Sequence, residues 1–252
     1  MKIFSFTYLN VLFGARLKQF FNRLPFFRYN NYNTFLIIGH PRTGTSLLHT
    51  YLNSHDAVLS LNEPLAHSND GKALFKAYSR FIKVVGFKYF YEYVLDIEKK
   101  KVLIQLIAEH KIKVIKIHRL NYLRTYVSLC IAEKTNEWSS TGNVAMDLLN
   151  KQIYLTKEEC LLAFAQYKNV ELETDKILAQ YHVPVYGITY ESLVSDPISV
   201  MEGVALFLGV EPQIPVSLLV RQNPENMREL IVNYEELKTS FLKTEFEIYF
   251  ED

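Results

Sequence analysis

The chain has 252 residues, 49% of them hydrophobic and 22% charged, with a formal net charge of +1. That length suffices for an α/β domain with a full core, and no Pro-, Gly- or Ser-rich linker divides it, so the expectation is one domain over 1–252. The near-neutral charge argues against a nucleic-acid partner. The two cysteines, Cys130 and Cys160, lack CxxC spacing, which argues against a disulfide framework or zinc site and fits a reducing compartment.

Residues 1–33 form a basic, aromatic N-terminal segment. No Asp or Glu precedes Asp56, whereas Lys2, Arg16, Lys18, Arg23, Arg28 and Arg42 all fall in that stretch. Through residue 29 the cations alternate with Phe4, Tyr8, Phe13, Phe20 and Phe26. No run approaches the ~20 apolar residues that span a bilayer. The pattern suits a surface helix, either docked on the domain or lying on an anionic membrane.

Four segments then read as buried strands with helical patterns between them: Phe35–Gly39, Val58–Leu61, Lys113–Arg119 and Pro184–Tyr190. Leu47/Tyr51 and Leu48/Leu52 give helix 45–54 one apolar face. Residues 72–110 interleave Phe75, Tyr78, Phe81, Phe87 and Tyr89 with Lys72, Lys76, Arg80, Lys83 and Lys88. Their spacing predicts helical core with a solvated face, or a helical cap over an acceptor pocket. Thr156-x-x-Glu159 is a capping box, and Asp196, Pro197 and Gly209 bound a helix over 197–208. The fold class expected is α/β: a P-loop-like three-layer α/β/α arrangement around a central, mainly parallel sheet of four to five strands.

The chemistry starts at the first strand. Gly39-x-x-x-x-Gly44 is followed by Thr45 and Ser46, where a nucleotide P-loop carries Lys at the Thr45 position. Backbone N–H groups and the helix N-terminus still make an anion site. Thr43, Thr45 and Ser46 add hydroxyls, and Arg42 adds a cation at the loop tip. A kinase also needs a Mg²⁺ carboxylate at a neighbouring strand end. Lys113–Arg119 ends instead in His118 and Arg119, which would repel a metal and attract a second anion. The ligand required has two anionic ends and no obligatory metal. 3′-Phosphoadenosine 5′-phosphosulfate (PAPS) matches: its sulfuryl group carries less charge than a γ-phosphate, and its 3′-phosphate is the second anion. A small-molecule kinase and a non-catalytic nucleotide-binding protein compete with this reading. Thr45 and the strand-end cations speak against the first, and Glu63 against the second.

Here the sequence resembles the PAPS-dependent sulfotransferase family, in its bacterial carbohydrate or glycolipid branch. Gly39–Leu48 (GHPRTGTSLL) looks like the family's 5′-phosphosulfate loop, placing Arg42, Thr43, Gly44, Thr45 and Ser46 on the donor. Arg119 with Ser128 resembles its 3′-phosphate motif. Ile188–Leu193, Asp196-Pro197 and Phe207–Gly209 are similar to its late strand–turn–helix, and Arg221–Pro224 and Asn233–Leu237 to its C-terminal segment. Leu120 stands where some relatives have a second arginine, and Arg221 is the candidate replacement. The resemblance implies sulfuryl transfer to a glycan or glycolipid hydroxyl, with Arg42 and Glu63 catalytic. Without a signal or spanning segment the expectation is a cytoplasmic enzyme, placed at the inner membrane face if residues 1–29 bind lipid. Glu63 follows the second strand, expected beside the first, so that it faces the ligand. His67 is the rival base. His40 and the remaining histidines read as surface, turn or strand-end residues, and Trp138 as a wall of the acceptor or adenine site or as a packed aromatic.

Overall fold

The apolar run after Asn33 forms a strand buried on both faces, as strands of a helix-covered parallel sheet are. The structure, a computed structural model, describes residues 28–66, 74–138, 147–219 and 222–251. The basic aromatic segment up to residue 27 lies outside them. In chain order the strands are β1 (Arg28–Tyr29), β2 (Asn33–Gly39), β3 (Val58–Leu61), β4 (Tyr78–Ser79), β5 (Val84–Phe90), β6 (Ile112–His118) and β7 (Val185–Thr189). β1 and β4 pair as a short antiparallel ribbon. The other five form a parallel sheet in the order β3–β5–β2–β6–β7.

Successive side chains of β2 face opposite layers. Phe35 and Ile37 pack with Leu48 and Leu52 of helix Thr45–Ser54 and with Val204 and Leu208 of helix Pro197–Leu208. Leu36 and Ile38 pack with Leu103 and Leu106 of helix Ile97–Glu109 and with Val170 of helix Lys157–Gln180. The expected three layers are therefore present. A further apolar cluster joins Leu123 and Val127 of helix Tyr122–Thr135 to Phe164, Tyr234 and Phe241. That contact fixes the helix carrying Ser128.

Local chemistry sets the helix limits. Thr156 and Glu159 form the reciprocal capping box that starts Lys157–Gln180. Asp196 accepts from the Ser199 N–H, Pro197 takes the first helical position, and Gly209 ends the helix at φ 84°.

Two expectations need correction. The helical spacing over 72–110 is realised as a short 3-10 helix over Tyr91–Leu95 and as α-helix only from Ile97 onward; residues 84–90 are a strand inside the sheet. Being buried on both faces, β5 shows no alternation, and its interior Gly86 reads as a breaker. The glycine is there because Phe35 crosses it: an added Cβ would lie 2.3 Å from the Phe35 carbonyl oxygen and 2.4 Å from its ring. The second correction follows from the first. β5 separates β3 from β2, so Glu63 follows an edge strand and not a neighbour of the loop strand.

Gly86→Ala should therefore overpack the sheet and cost about 1–3 kcal/mol. Urea unfolding should show the loss as a lower midpoint with an unchanged slope.

Candidate functional site

The loop after β2 turns through left-handed backbone at Arg42 (φ 69°) and Gly44 (φ 90°). At Gly44 a Cβ would also meet the Tyr190 ring at 2.7 Å, so glycine serves both the turn and the aromatic beside it. The Thr43 hydroxyl donates to the His40 carbonyl at 2.7 Å and braces the turn from within. Helix Thr45–Ser54 begins with no side-chain cap, which leaves its first N–H groups to a ligand.

These groups open on a pocket of about 300 Å³. Its polar lining brings Gly44, Thr45 and Ser46 together with Arg42, Arg119, Arg124 and Ser128. Leu47, Tyr51, Tyr190, Val194 and Leu219 supply the apolar walls. Trp138 lines the pocket as well, though nearly half exposed. The Arg119 guanidinium lies 4.6 Å from the centroid of the Tyr190 ring, a cation–π contact that holds it at the end of β6.

Arg42 is turned across this pocket. Its Nε donates to Ser128 Oγ at 3.0 Å, and its two terminal nitrogens donate to the Trp138 carbonyl and to Gln222 Oε1. Ser128 also accepts from Asn223 Nδ2 at 3.2 Å. The segment carrying Gln222 and Asn223 is strapped down from beneath. Arg124 donates to the carbonyls of Asn223 and Glu225, and buried Lys151 donates to the Gln222 carbonyl at 2.8 Å and pairs with Glu225 at 2.7 Å.

A second cluster meets the loop at Ser46. Lys88 of β5, 1% exposed, donates to Ser46 Oγ at 3.2 Å and pairs with Glu63 Oε1 at 2.7 Å. Burial pulls the Lys88 ionisation down, and the bond and charge of Glu63 offset only part of that pull. His49 stands behind this pair with Nδ1 2.8 Å from Ser60 Oγ. Burial first, and the Lys88 charge second, push it down to about 4, so it is a neutral ring at physiological pH. Glu63 keeps 29% of its side chain exposed and is open to an incoming group.

Gly44, Thr45, Ser46, Arg42, Arg119 and Ser128 thus share one pocket, with Thr43 as its internal brace. Glu63 is joined to them through Lys88. Arg221 and His67 lie outside the described residues. His40 sits at the strand end, as expected, but its side chain is 1% exposed and bonded on both ring nitrogens rather than facing solvent. Sequence reasoning missed Lys88 and Arg124. The signal for Lys88 was a lone lysine in an apolar run, which must find a partner when the run is buried. For Arg124 it was the position four residues before Ser128 on one helix face.

A sequence profile described as "Sulfotransferase domain" matches residues 33–249. Among solved structures, a sulfotransferase from Alicyclobacillus acidocaldarius is 18% identical at TM-score 0.50, with 83% of this chain and 91% of that one covered. A mouse sulfotransferase complexed with PAP is 17% identical at TM-score 0.35, covering 79% of this chain and 65% of that one. No curated protein sequence matches significantly.

Lys151→Met should leave the Glu225 carboxylate without its cation. Because Glu225 keeps 21% exposure, the cost should fall below the ~3–5 kcal/mol of a fully buried pair. Amide exchange over residues 222–226 should rise with it.

Proposed function

The chain belongs to the sulfotransferase domain family, and from that premise we propose that it moves the sulfuryl group of PAPS to a hydroxyl acceptor. The observation that carries this reading is the meeting of four features in one pocket: loop amides, the Arg42–Ser128 pair, Arg119 and Arg124. The residues fit the donor. Gly44–Ser46 and the open helix N-terminus suit its 5′-phosphosulfate, and the cations around Ser128 suit its 3′-phosphate. Tyr190, Leu47 and Leu219 offer apolar surface to a flat base. Nothing in this arrangement calls for a metal.

When bound, the donor supplies an electrophilic sulfur and a phosphate leaving group. The chain's part is to orient the acceptor hydroxyl, take its proton and hold the departing charge. Glu63 is the proposed base, accepting the hydroxyl proton as the new O–S bond forms. Lys88 gives a reason for that assignment that sequence did not offer. It stands between Ser46 and Glu63, so an anion seated at Ser46 competes with Glu63 for its charge. Seating the donor would then draw Lys88 to the loop and leave the carboxylate free to accept a proton. Lys88 and the amides of residues 44–46 are aimed where negative charge develops, the place where preorganised donors count most. Arg42 belongs with the 3′-phosphate in this scheme because its guanidinium rests on Ser128. Arg119 and Arg124 set the donor's register there without touching sulfur, and Arg221 remains a candidate beside them.

The acceptor is proposed as a glycan or glycolipid, on the resemblance of Glu63-Pro64 to the base context of glycan-acting relatives. A cytoplasmic enzyme working at the inner membrane face would suit the basic aromatic residues 1–29. Among the described residues no helix is long and apolar enough to cross a membrane.

Calorimetric titration should show tight binding of adenosine 3′,5′-bisphosphate and none of ADP–Mg²⁺; the opposite result would make the protein a kinase-like nucleotide binder. Lys88→Met and Glu63→Gln should each slow transfer from labelled donor to a glycan panel by roughly 10²-fold or more. Arg119→Ala should chiefly weaken bisphosphate binding. Near-normal turnover by Glu63→Gln would remove it as the base.

A further inference from the structure

His40 ends the strand and begins the loop, and the proposed transfer chemistry makes no use of its side chain. Its carbonyl accepts from the Thr43 hydroxyl at 2.7 Å and from the Thr43 N–H at 3.4 Å, so the turn is built on this residue. Its ring lies between Tyr91 and Tyr167, with centroids 4.7 and 4.5 Å away. Nδ1 is 2.6 Å from Glu92 Oε1, and Nε2 is 2.9 Å from Glu171 Oε1. A neutral imidazole owns a single N–H, so one of these contacts would set a ring lone pair against a carboxylate. With both carboxylates ionised, only the imidazolium satisfies both.

The surroundings favour the same state. From helix Lys157–Gln180 come Glu171, Tyr167 and Asp175; from the turn after β5 come Tyr91 and Glu92; β6 contributes Lys116 and helix Tyr122–Thr135 contributes Tyr122. Tyr122 donates to Glu171 Oε2 at 2.8 Å, while Lys116 pairs with Asp175 at 2.6 Å and lies 6.0 Å from the Tyr91 ring. The second Glu92 oxygen is buried with no hydrogen-bond partner among the described residues, which leaves the imidazolium to compensate that charge. Burial alone would lower the ionisation of His40. The hydrogen bonds to Glu171 and Glu92 outweigh it and raise it above the ordinary histidine value. The stability this clamp contributes is therefore full below about pH 6.5 and is lost as pH rises through the higher folded value.

We propose that His40 is a positioning residue of the phosphate loop: its imidazolium, clamped by Glu92 and Glu171, holds the base of the loop in its observed turn. Deprotonation would take a positive charge from beneath the loop amides and turn one carboxylate against a lone pair. The consequence for ligand rests on the reading of the loop as a phosphate site, but the clamp itself does not.

Nitrogen NMR of the histidine rings in the full chain tests it, with the amide shifts of Thr43, Gly44 and Thr45 followed over the same pH series. Both His40 ring nitrogens should be protonated below a midpoint that lies above the ordinary histidine value of about 6.5. The three loop amides should titrate with that midpoint. Glu171→Gln removes a charge and keeps an acceptor, so it should move ring and amide midpoints down together. His40→Gln should abolish the titration of the amides. Affinity for adenosine 3′,5′-bisphosphate should fall on the order of tenfold across the step, in a range where its phosphates are already dianionic. A His40 midpoint at or below about 6.5, loop amides that ignore the ring, or an unmoved midpoint in Glu171→Gln would each overturn the clamp. If ring and amides titrate together while the bisphosphate binds at no pH, the clamp stands and the donor reading falls.

Discussion

The cost of burying charge is the constraint on which this site depends. Lys88, Arg119, Arg124 and Lys151 are exposed by only 1%, 8%, 9% and 6%. A buried cation is tolerated only where it is paired or hydrogen-bonded. Each of these finds its partner in a distant stretch of chain: Lys88 in Glu63, Arg119 in the Tyr190 ring, Arg124 in the carbonyls of Asn223 and Glu225, Lys151 in Glu225. The pairings that make these buried charges tolerable are thus also contacts that tie distant stretches of chain together at the pocket and beside it. A cluster of cations aimed at an anion does not come free, and here its cost is offset by tying the segments together.

The loop itself is gripped at three points. His40 anchors its base to Glu92 and Glu171, Arg42 carries its crown across to Ser128, and Ser46 meets Lys88 at its end. Backbone N–H groups bind an anion well only if they are already aimed, because reorienting them on binding would spend the energy gained. Positive φ at Arg42 and Gly44 is the local cost of that aim. The three grips lie on different elements, so the strained turn is over-determined by its surroundings rather than by its own sequence.

Much of this was legible in sequence, and the failures share a cause. The loop, helix 45–54 and both capping devices follow from local rules, in which neighbours along the chain decide the outcome, whereas the pairing of Arg119 with Ser128 was reached through the family resemblance. β5 escaped because its pattern is set by two covering layers, and Gly86 makes sense only once Phe35 lies against it. Lys88 read as one of several surface lysines because its partner is reached through a sheet order that sequence did not show. The burial of the His40 ring escaped for the same reason: Glu92 and Glu171 are 52 and 131 positions away.

The replacement of the P-loop lysine gains its meaning from that sheet order. A lysine at the Thr45 position would come from the same segment as the amides and could serve only the anion they hold. Lys88 comes from the strand lying between β2 and β3, so it reaches Ser46 at the end of the loop and Glu63 after β3 together. Arg42 cannot do this work, since its planar fork is committed to Ser128, Gln222 and the Trp138 carbonyl and its charge never varies. A compact ammonium whose ionisation is already lowered by burial is the better link between an anion and a carboxylate. Under the proposed function, moving the cation from the loop to β5 would do more than restore a missing charge: it would place one group where donor binding and proton acceptance are felt at the same nitrogen.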